Sequence, residues 1–239
     1  MNHHVLFVLT GHSELGNTGR KTGWHCSEVS HPYKILRDAG CEICFASPDG
    51  GPAPMDPNSE DNSDPINAEF CQNPMDQAAL SNTLASEEVQ AGQYDAIYFA
   101  GGHGTMWDLP DNSHFQEAAR YIYERGGVVA AICHGPAGLL NVRLSNGKLL
   151  VEGKEMTSFS DDEERALNLD TVVPFLLETE LKKRGARYSC APRGQGHVVV
   201  SDRLVTGQNP ASADDLARTL LKLMDQCKAA RKQKATAEA

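Results

Sequence analysis

The sequence predicts an α/β protein: a three-layer sandwich around a mostly parallel central sheet. Three observations carry that reading. Short β-branched and aliphatic runs alternate with stretches of helical periodicity along the chain. One of the runs, Val128–Ile132, is apolar at every position, as a strand is when helices cover both faces of its sheet. Finally, 239 residues with 40% hydrophobic content supply one substantial core but not two large domains. The expectation is a single domain over 1–227. A tail follows over 228–239, with four basic residues and no large apolar ones.

The elements follow in order. Val5–Thr10 reads as a strand ending at Gly11, and Glu28–Ala39 as a helix stopped by Gly40, with Pro32 early in it. Cys41–Ala46 is a second strand, followed by the dense turn signal Ser47-Pro48-Asp49-Gly50-Gly51-Pro52. Six prolines lie between Pro48 and Pro74, which predicts a surface excursion over 48–75 with little regular structure. Short helical stretches are expected between Asp76 and Ala91. Tyr94–Ala100 is a third strand, entering the loop Gly101-Gly102-His103-Gly104. Ser113 with Gln116 three residues on reads as a capping box opening a helix to Arg125. Beyond Val128–Ile132, further strands are expected at Met156–Ser160, Arg187–Cys190, Val198–Val200 and Arg203–Thr206. The last two look like a hairpin about Ser201-Asp202. Leu216, Leu220, Leu223, Met224 and Cys227 mark one stripe of a closing helix.

Composition narrows the partners. Lys plus Arg is 22 against 32 Asp plus Glu, a net charge of −10, which argues against a nucleic acid or other polyanion. Aromatic content of 6% leaves little for base stacking. The apolar runs fall far short of the roughly 20 residues that span a bilayer. Met1-Asn2-His3-His4 carries no basic or apolar leader, so a cytoplasmic protein without membrane association is expected. The cysteines at 26, 41, 44, 71, 133, 190 and 227 have no disulfide-framework spacing and read as free thiols. Cys41 and Cys44 share a strand, where residues three apart face opposite ways, so no redox or zinc role is expected of that pair.

The sharpest chemical signal is Ala131-Ile132-Cys133-His134-Gly135. Small residues two before and two after Cys133 match a nucleophile elbow, a turn in which larger side chains would clash. Such a turn presents its central side chain at the carboxyl edge of the sheet, where open α/β folds hold ligands. A helix beginning there would favour the thiolate. The titratable ring of His134 could hold a proton for chemistry at Cys133. The Gly101–Gly104 loop ends a neighbouring strand, so the N–H groups of Gly102 and His103, with that of His134, could form an oxyanion hole. Glu28 lies four residues before Pro32, which removes the hydrogen-bond partner of the Glu28 carbonyl, and its carboxyl could reach the same edge. The competing readings are a core cysteine, a plain glycine turn and a solvated glutamate.

Taken together the motifs resemble the DJ-1/PfpI superfamily, and within it the heat-shock chaperone branch of glutathione-independent (glyoxalase III) enzymes. The resemblance runs from about Val5 to Met224. It rests on Thr22-Gly23-Trp24, His31-Pro32-Tyr33, Ala46-Ser47-Pro48, Gly102-His103-Gly104-Thr105, Val128–Pro136 and Arg203–Ser212. It implies a flavodoxin-like fold with Cys133 as nucleophile, His134 as its partner and Glu28 as a buried helical glutamate. The acid that orients the histidine aligns with Glu164, with Asp161, Asp162 and Glu163 as neighbouring alternatives. Also implied are a 2-oxoaldehyde substrate such as methylglyoxal, lactate as product, no cofactor, no metal and a homodimer. A stress holdase, a protein deglycase and a thiol redox sensor are the alternatives. A glutamine amidotransferase is disfavoured because no His-x-Glu pair follows Cys133.

Overall fold

The computed structural model describes residues 2–237. Its first half comprises β1 (His4–Val8), α1 (Cys26–Asp38), β2 (Glu42–Ser47), β3 (Asp49–Gly51), α2 (Pro65–Gln72), α3 (Pro74–Ser81), β4 (Thr83–Ala85) and β5 (Ala96–Phe99). Then come α4 (Thr105–Asp108), α5 (Ser113–Glu124), β6 (Val128–Ile132), β7 (Glu155–Met156), α6 (Asp161–Ala166) and α7 (Leu177–Lys183). The chain ends with β8 (Arg187–Tyr188), β9 (Val198–Ser201), β10 (Leu204–Gly207) and α8 (Ala213–Ala237).

Among the described residues eight strands form one sheet in the order β3-β4-β2-β1-β5-β6-β10-β9. The six from β4 to β10 run parallel, and only the edge strands β3 and β9 are antiparallel. The all-apolar β6 sits inside this sheet and serves two cores. Val128, Ala130 and Ile132 pack with Val29 and Leu36 of α1 and Leu216, Leu220 and Met224 of α8. Val129 and Ala131 face the opposite layer, with Phe115, Ala119 and Ile122 of α5. Each fully buried Leu or Ile contributes roughly 1.5–3 kcal/mol, so this central stack is a rigid support.

Register positions the site. Phe99 of β5 pairs with Ala131 of β6, so two residues further on Gly101 and Cys133 emerge side by side. Gly207 pairs with Ile132, and its carbonyl accepts the Cys133 N–H at 2.8 Å.

Several expectations are corrected. The proline-rich segment holds a helix, α2, because Pro65 opens it and the preceding Asp64 caps it; α3, opened by Pro74 and capped by Asn73, is one of the short helices expected before Ala91. The N-cap of α5 is Asn112, whose side chain accepts from the Phe115 N–H, and Ser113 is already inside the helix. Pairing at Met156–Ser160 and Arg187–Cys190 is confined to β7 and β8, a separate two-stranded sheet. Beyond Met156 the chain is diverted, as the Thr157 N–H bonds Thr206 Oγ1 and the Phe159 N–H bonds the Cys133 carbonyl. The stretch expected to be a tail continues α8 to Ala237. There Arg231 reaches Asp95 at 3.2 Å, and residues 238–239 lie outside the described residues. Among the described residues no helix is long and apolar enough to cross a membrane.

Candidate active site

Cys133 occupies a strained position. Its φ is +57°, a conformation that costs a residue with a side chain about 1–3 kcal/mol. The small flanking residue is required: a Cβ on Gly135 would stand 2.2 Å from the Phe99 carbonyl oxygen. The turn that follows, Gly135–Leu139, is a single 3-10 segment rather than an α-helix. The expected stabilisation of a thiolate by a helix macrodipole is therefore reduced to the adjacent N–H of His134, which does favour the charged form.

A hydrogen-bonded chain leads away from the sulfur. Cys133 Sγ lies 3.3 Å from His134 Nδ1, and His134 Nε2 lies 2.7 Å from Glu164 Oε2. The other carboxyl oxygen, Oε1, is 2.8 Å from His103 Nε2. Burial opposes ionisation of Glu164, but the two imidazoles outweigh it and hold its carboxyl well below the usual range. Burial, and then His103, lower the His134 imidazole against the pull of Glu164. An ionised carboxylate only accepts hydrogen bonds. Nε2 of His134 therefore carries the hydrogen, and Nδ1 turns its lone pair toward Sγ. The rings are packed as well as bonded: the His103 and His134 centroids are 4.1 Å apart, and Phe159 lies 4.6 Å from His134.

The run of four acids divides its labour. Glu164 faces the histidines. Glu163 closes a capping box with Ser160 and accepts from Gln208, Asn209 and the Gly194 N–H, tying α6 to the loop after β10 and to the one between β8 and β9. Asp161 accepts from Thr179 Oγ1, and Asp162 is exposed and paired with Arg193.

Glu28 reaches the same edge from α1. Pro32 leaves its carbonyl without a helical donor, and the buried Tyr98 O–H fills that place at 2.6 Å. The carboxyl is fully buried, and among the described residues neither oxygen meets a donor in hydrogen-bond geometry. A Cβ on Gly101 would lie 2.2 Å from Glu28 Oε2 and 2.7 Å from Cys133 Cβ, so only glycine lets these groups meet. Burial pushes the Glu28 carboxyl up to about 8, with the nearby Cys133 thiol and Gly101 N–H offsetting part of the rise. Burial, and then the facing Glu28 carboxylate, raise the Cys133 thiol well above its ordinary value. This corrects the expectation of a lowered thiol. Two buried acids in contact do not both ionise near neutral pH.

Cys133, His134 and His103 line a pocket of about 470 Å³, and neither Glu28 nor Glu164 is part of its lining. Gly102, His103, Cys133 and His134 form one wall, with Phe159 and Leu167 among the apolar residues around them. Among the described residues the N–H groups of Gly102 and His103 make no hydrogen bond, which leaves them available to a substrate oxygen. Sequence reasoning missed three contributors. The His103 side chain was passed over for its backbone. His25 and Asp56 also line the pocket, and the only signal for His25 was its place immediately before the helix that carries Glu28. Burial lowers the His25 imidazole to about 4 against the pull of Asp56, with His103 and His134 adding to the drop. For metal binding, His103, His134 and Glu164 bring ligand atoms within 4.8 Å of one another, but each carboxyl oxygen is already engaged by one imidazole.

A parallel α/β sandwich with a cysteine at a strained elbow, a histidine beside it and two carboxyls converging defines a class of elbow-type cysteine proteins. The chain belongs to the DJ-1/PfpI family, whose sequence model matches residues 21–223. It is 36% identical to the glutathione-independent glyoxalase HSP31 of Saccharomyces cerevisiae, over 89% of this chain and 94% of that protein. Among solved structures it matches the 24 kDa rapid encystment protein of Francisella tularensis with a TM-score of 0.90. That match has 41% identity and covers 94% of this chain and 99% of the other. Glyoxalase III of Candida albicans superposes with a TM-score of 0.85 at 31% identity, covering 92% of this chain and 97% of that one.

Proposed function

We propose that the protein is a glutathione-independent glyoxalase of the lyase class. It converts methylglyoxal and related 2-oxoaldehydes to 2-hydroxy acids such as lactate, with Cys133 as nucleophile. The observation that carries the reading is the continuous relay Glu164–His134–Cys133 opening into a pocket, with Glu28 behind the sulfur. The names of the yeast and Candida relatives support it.

The geometry supports the following sequence. As Sγ attacks the aldehyde carbon, its proton passes to His134 Nδ1, and the carbonyl electron pair moves onto oxygen. The Gly102 and His103 N–H groups hold that oxygen, and His134 returns the proton to give a hemithioacetal. Neutral again, His134 removes the carbon-bound proton to form an enediolate and returns that proton to the adjacent carbon, while the hydroxyl proton moves to the neighbouring oxygen, which gives the thioester. Water then cleaves the sulfur–carbon bond, releasing the hydroxy acid and restoring the thiol. One carbon is oxidised as its neighbour is reduced, so the conversion balances without an external electron carrier. Glu28, protonated below about pH 8, keeps its proton and offers the sulfur a hydrogen bond as negative charge develops on it.

The test is turnover of methylglyoxal in thiol-free buffer with enantiomer-specific lactate detection. Wild-type protein is expected to form lactate and Cys133→Ala none. Undiminished turnover by Cys133→Ala overturns the proposal.

A further inference from the structure

We propose that Cys26 and Cys71 form a reversible dithiol–disulfide pair that latches the proline-rich segment to the start of α1. The two sulfurs lie 3.6 Å apart although 45 positions separate them in the chain. Among the described residues no other two cysteine sulfurs make such a contact.

The surroundings hold the pair in register. Cys26 is the first residue of α1, fully buried, and its N–H donates to Ser59 Oγ at 2.9 Å, an atom of the proline-rich segment. Cys71 lies in the last turn of α2 and is half-buried. On the same two helices Ser30 donates to Asn67, and His31 Nε2 lies 2.8 Å from Asp64 Oδ2. The helices are thus held together beside the sulfurs, with the Cys26 backbone also tied to Ser59, and closure needs the two sulfurs to move from 3.6 Å to bonding distance.

The exposure difference sets the order of events. A peroxide reaches Cys71 first: its thiolate attacks one peroxide oxygen, the O–O bond breaks, and Cys71 becomes a sulfenic acid as hydroxide leaves. Cys26 sulfur then attacks the Cys71 sulfur, the S–O bond breaks, and water departs with the Cys26 proton. Overall two thiols lose two hydrogens and two electrons, and one hydrogen peroxide becomes two waters. Burial pushes the Cys26 thiol up to about 12, consistent with Cys26 as the resolving rather than the attacking sulfur. Closing this loop restricts the unfolded chain, so the oxidised protein should be the more heat-stable form. Thiol reductants would reopen it.

The experiment uses the full chain carrying Cys133→Ala, which removes the pocket thiol from competition, with wild-type protein run in parallel. Each is treated with hydrogen peroxide, alkylated, digested and mapped by mass spectrometry, and thermal midpoints are read before and after dithiothreitol. The expected result is a Cys26–Cys71 cross-linked peptide lighter by two hydrogens, with a midpoint several degrees higher. Dithiothreitol should reverse both, and Cys71→Ser should prevent both. Equal alkylation of both cysteines before and after oxidation overturns the proposal. So does a disulfide formed at Cys190 or Cys227 instead, or a Cys26–Cys71 bond that leaves the midpoint unmoved.

Discussion

Glu28 and Cys133 come from opposite halves of the chain and meet as two buried acids against the bare Cα of Gly101. Their contact makes stability depend on pH with a definite sign. Burial raises the folded-state Glu28 carboxyl to about 8, above its ordinary value of about 4.3 in an unfolded chain. The folded state then holds a proton that the unfolded state has released, so the contribution is complete below the ordinary carboxyl range. It is lost as pH rises through about 8. The slope is about 1.4 kcal/mol per pH unit inside that window. Glu28→Gln removes the titration. Urea unfolding from about pH 5 to about pH 8 should show the wild type losing ground steadily against the variant. Parallel stability curves would contradict the burial argument.

Gly101→Ala probes the same contact sterically. The added methyl would strike Glu28 Oε2 and Cys133 Cβ, and would also come within 2.7 Å of the Ile132 carbonyl oxygen. Two of these obstacles are parts of the central strand and its elbow, which cannot yield as a flexible side chain can. The expected cost is about 1–3 kcal/mol of stability, together with loss of lactate formation in excess of the unfolded fraction. Calorimetry and turnover on one preparation check both. A variant with normal activity would show that the elbow relaxes freely.

Glu164→Gln separates charge from shape. The amide is nearly isosteric, but it has one acceptor oxygen to offer where the carboxylate serves both His134 and His103. Losing the ionised acceptor frees the His134 tautomer, so Nδ1 no longer faces Sγ reliably as a base. Turnover should fall about 10²- to 10⁴-fold while the fold persists, as far-ultraviolet circular dichroism would verify. The matching Glu163→Gln variant should behave differently. Glu163 accepts from several donors that tie α6 to neighbouring loops, so its loss should show first in the melting temperature. Equal kinetic defects in the two variants would refute this division.

The contrast between these two glutamates shows what the sequence can and cannot disclose. The parallel sheet was legible because Val128–Ile132 has no polar residue and serves two cores at once. The elbow was legible because Gly135 and Ala131 flank Cys133 at offsets that only small residues satisfy. Pro32 announced a carbonyl without a donor, though not that Tyr98 would supply one. Among Asp161, Asp162, Glu163 and Glu164 the pattern was silent, because which acid turns inward depends on where Ser160 starts α6. The thiol's electrostatics were misread for a related reason. The pattern predicts a helix after Cys133, whereas Gly135-Pro136 leads only a short 3-10 turn. Burial against Glu28, a contact between distant segments, then dominates.

The His103 side chain supplies the remaining prediction. Its Nε2 holds the Glu164 oxygen that His134 does not use, and its ring lies against His134. Removing it acts twice in one direction. Glu164 loses a hydrogen bond and a neighbouring imidazole that hold its carboxyl low, so its pKa rises. His134 loses the Coulombic repulsion by which His103 lowers it, so its pKa also rises. Turnover requires Glu164 ionised and His134 neutral. The acid limb of the pH–rate profile for His103→Ala should therefore move to higher pH, while the plateau above it falls no more than about tenfold. A plateau that collapses with the acid limb unmoved would mean that His103 meets the substrate directly instead of setting the protonation of the relay beside it.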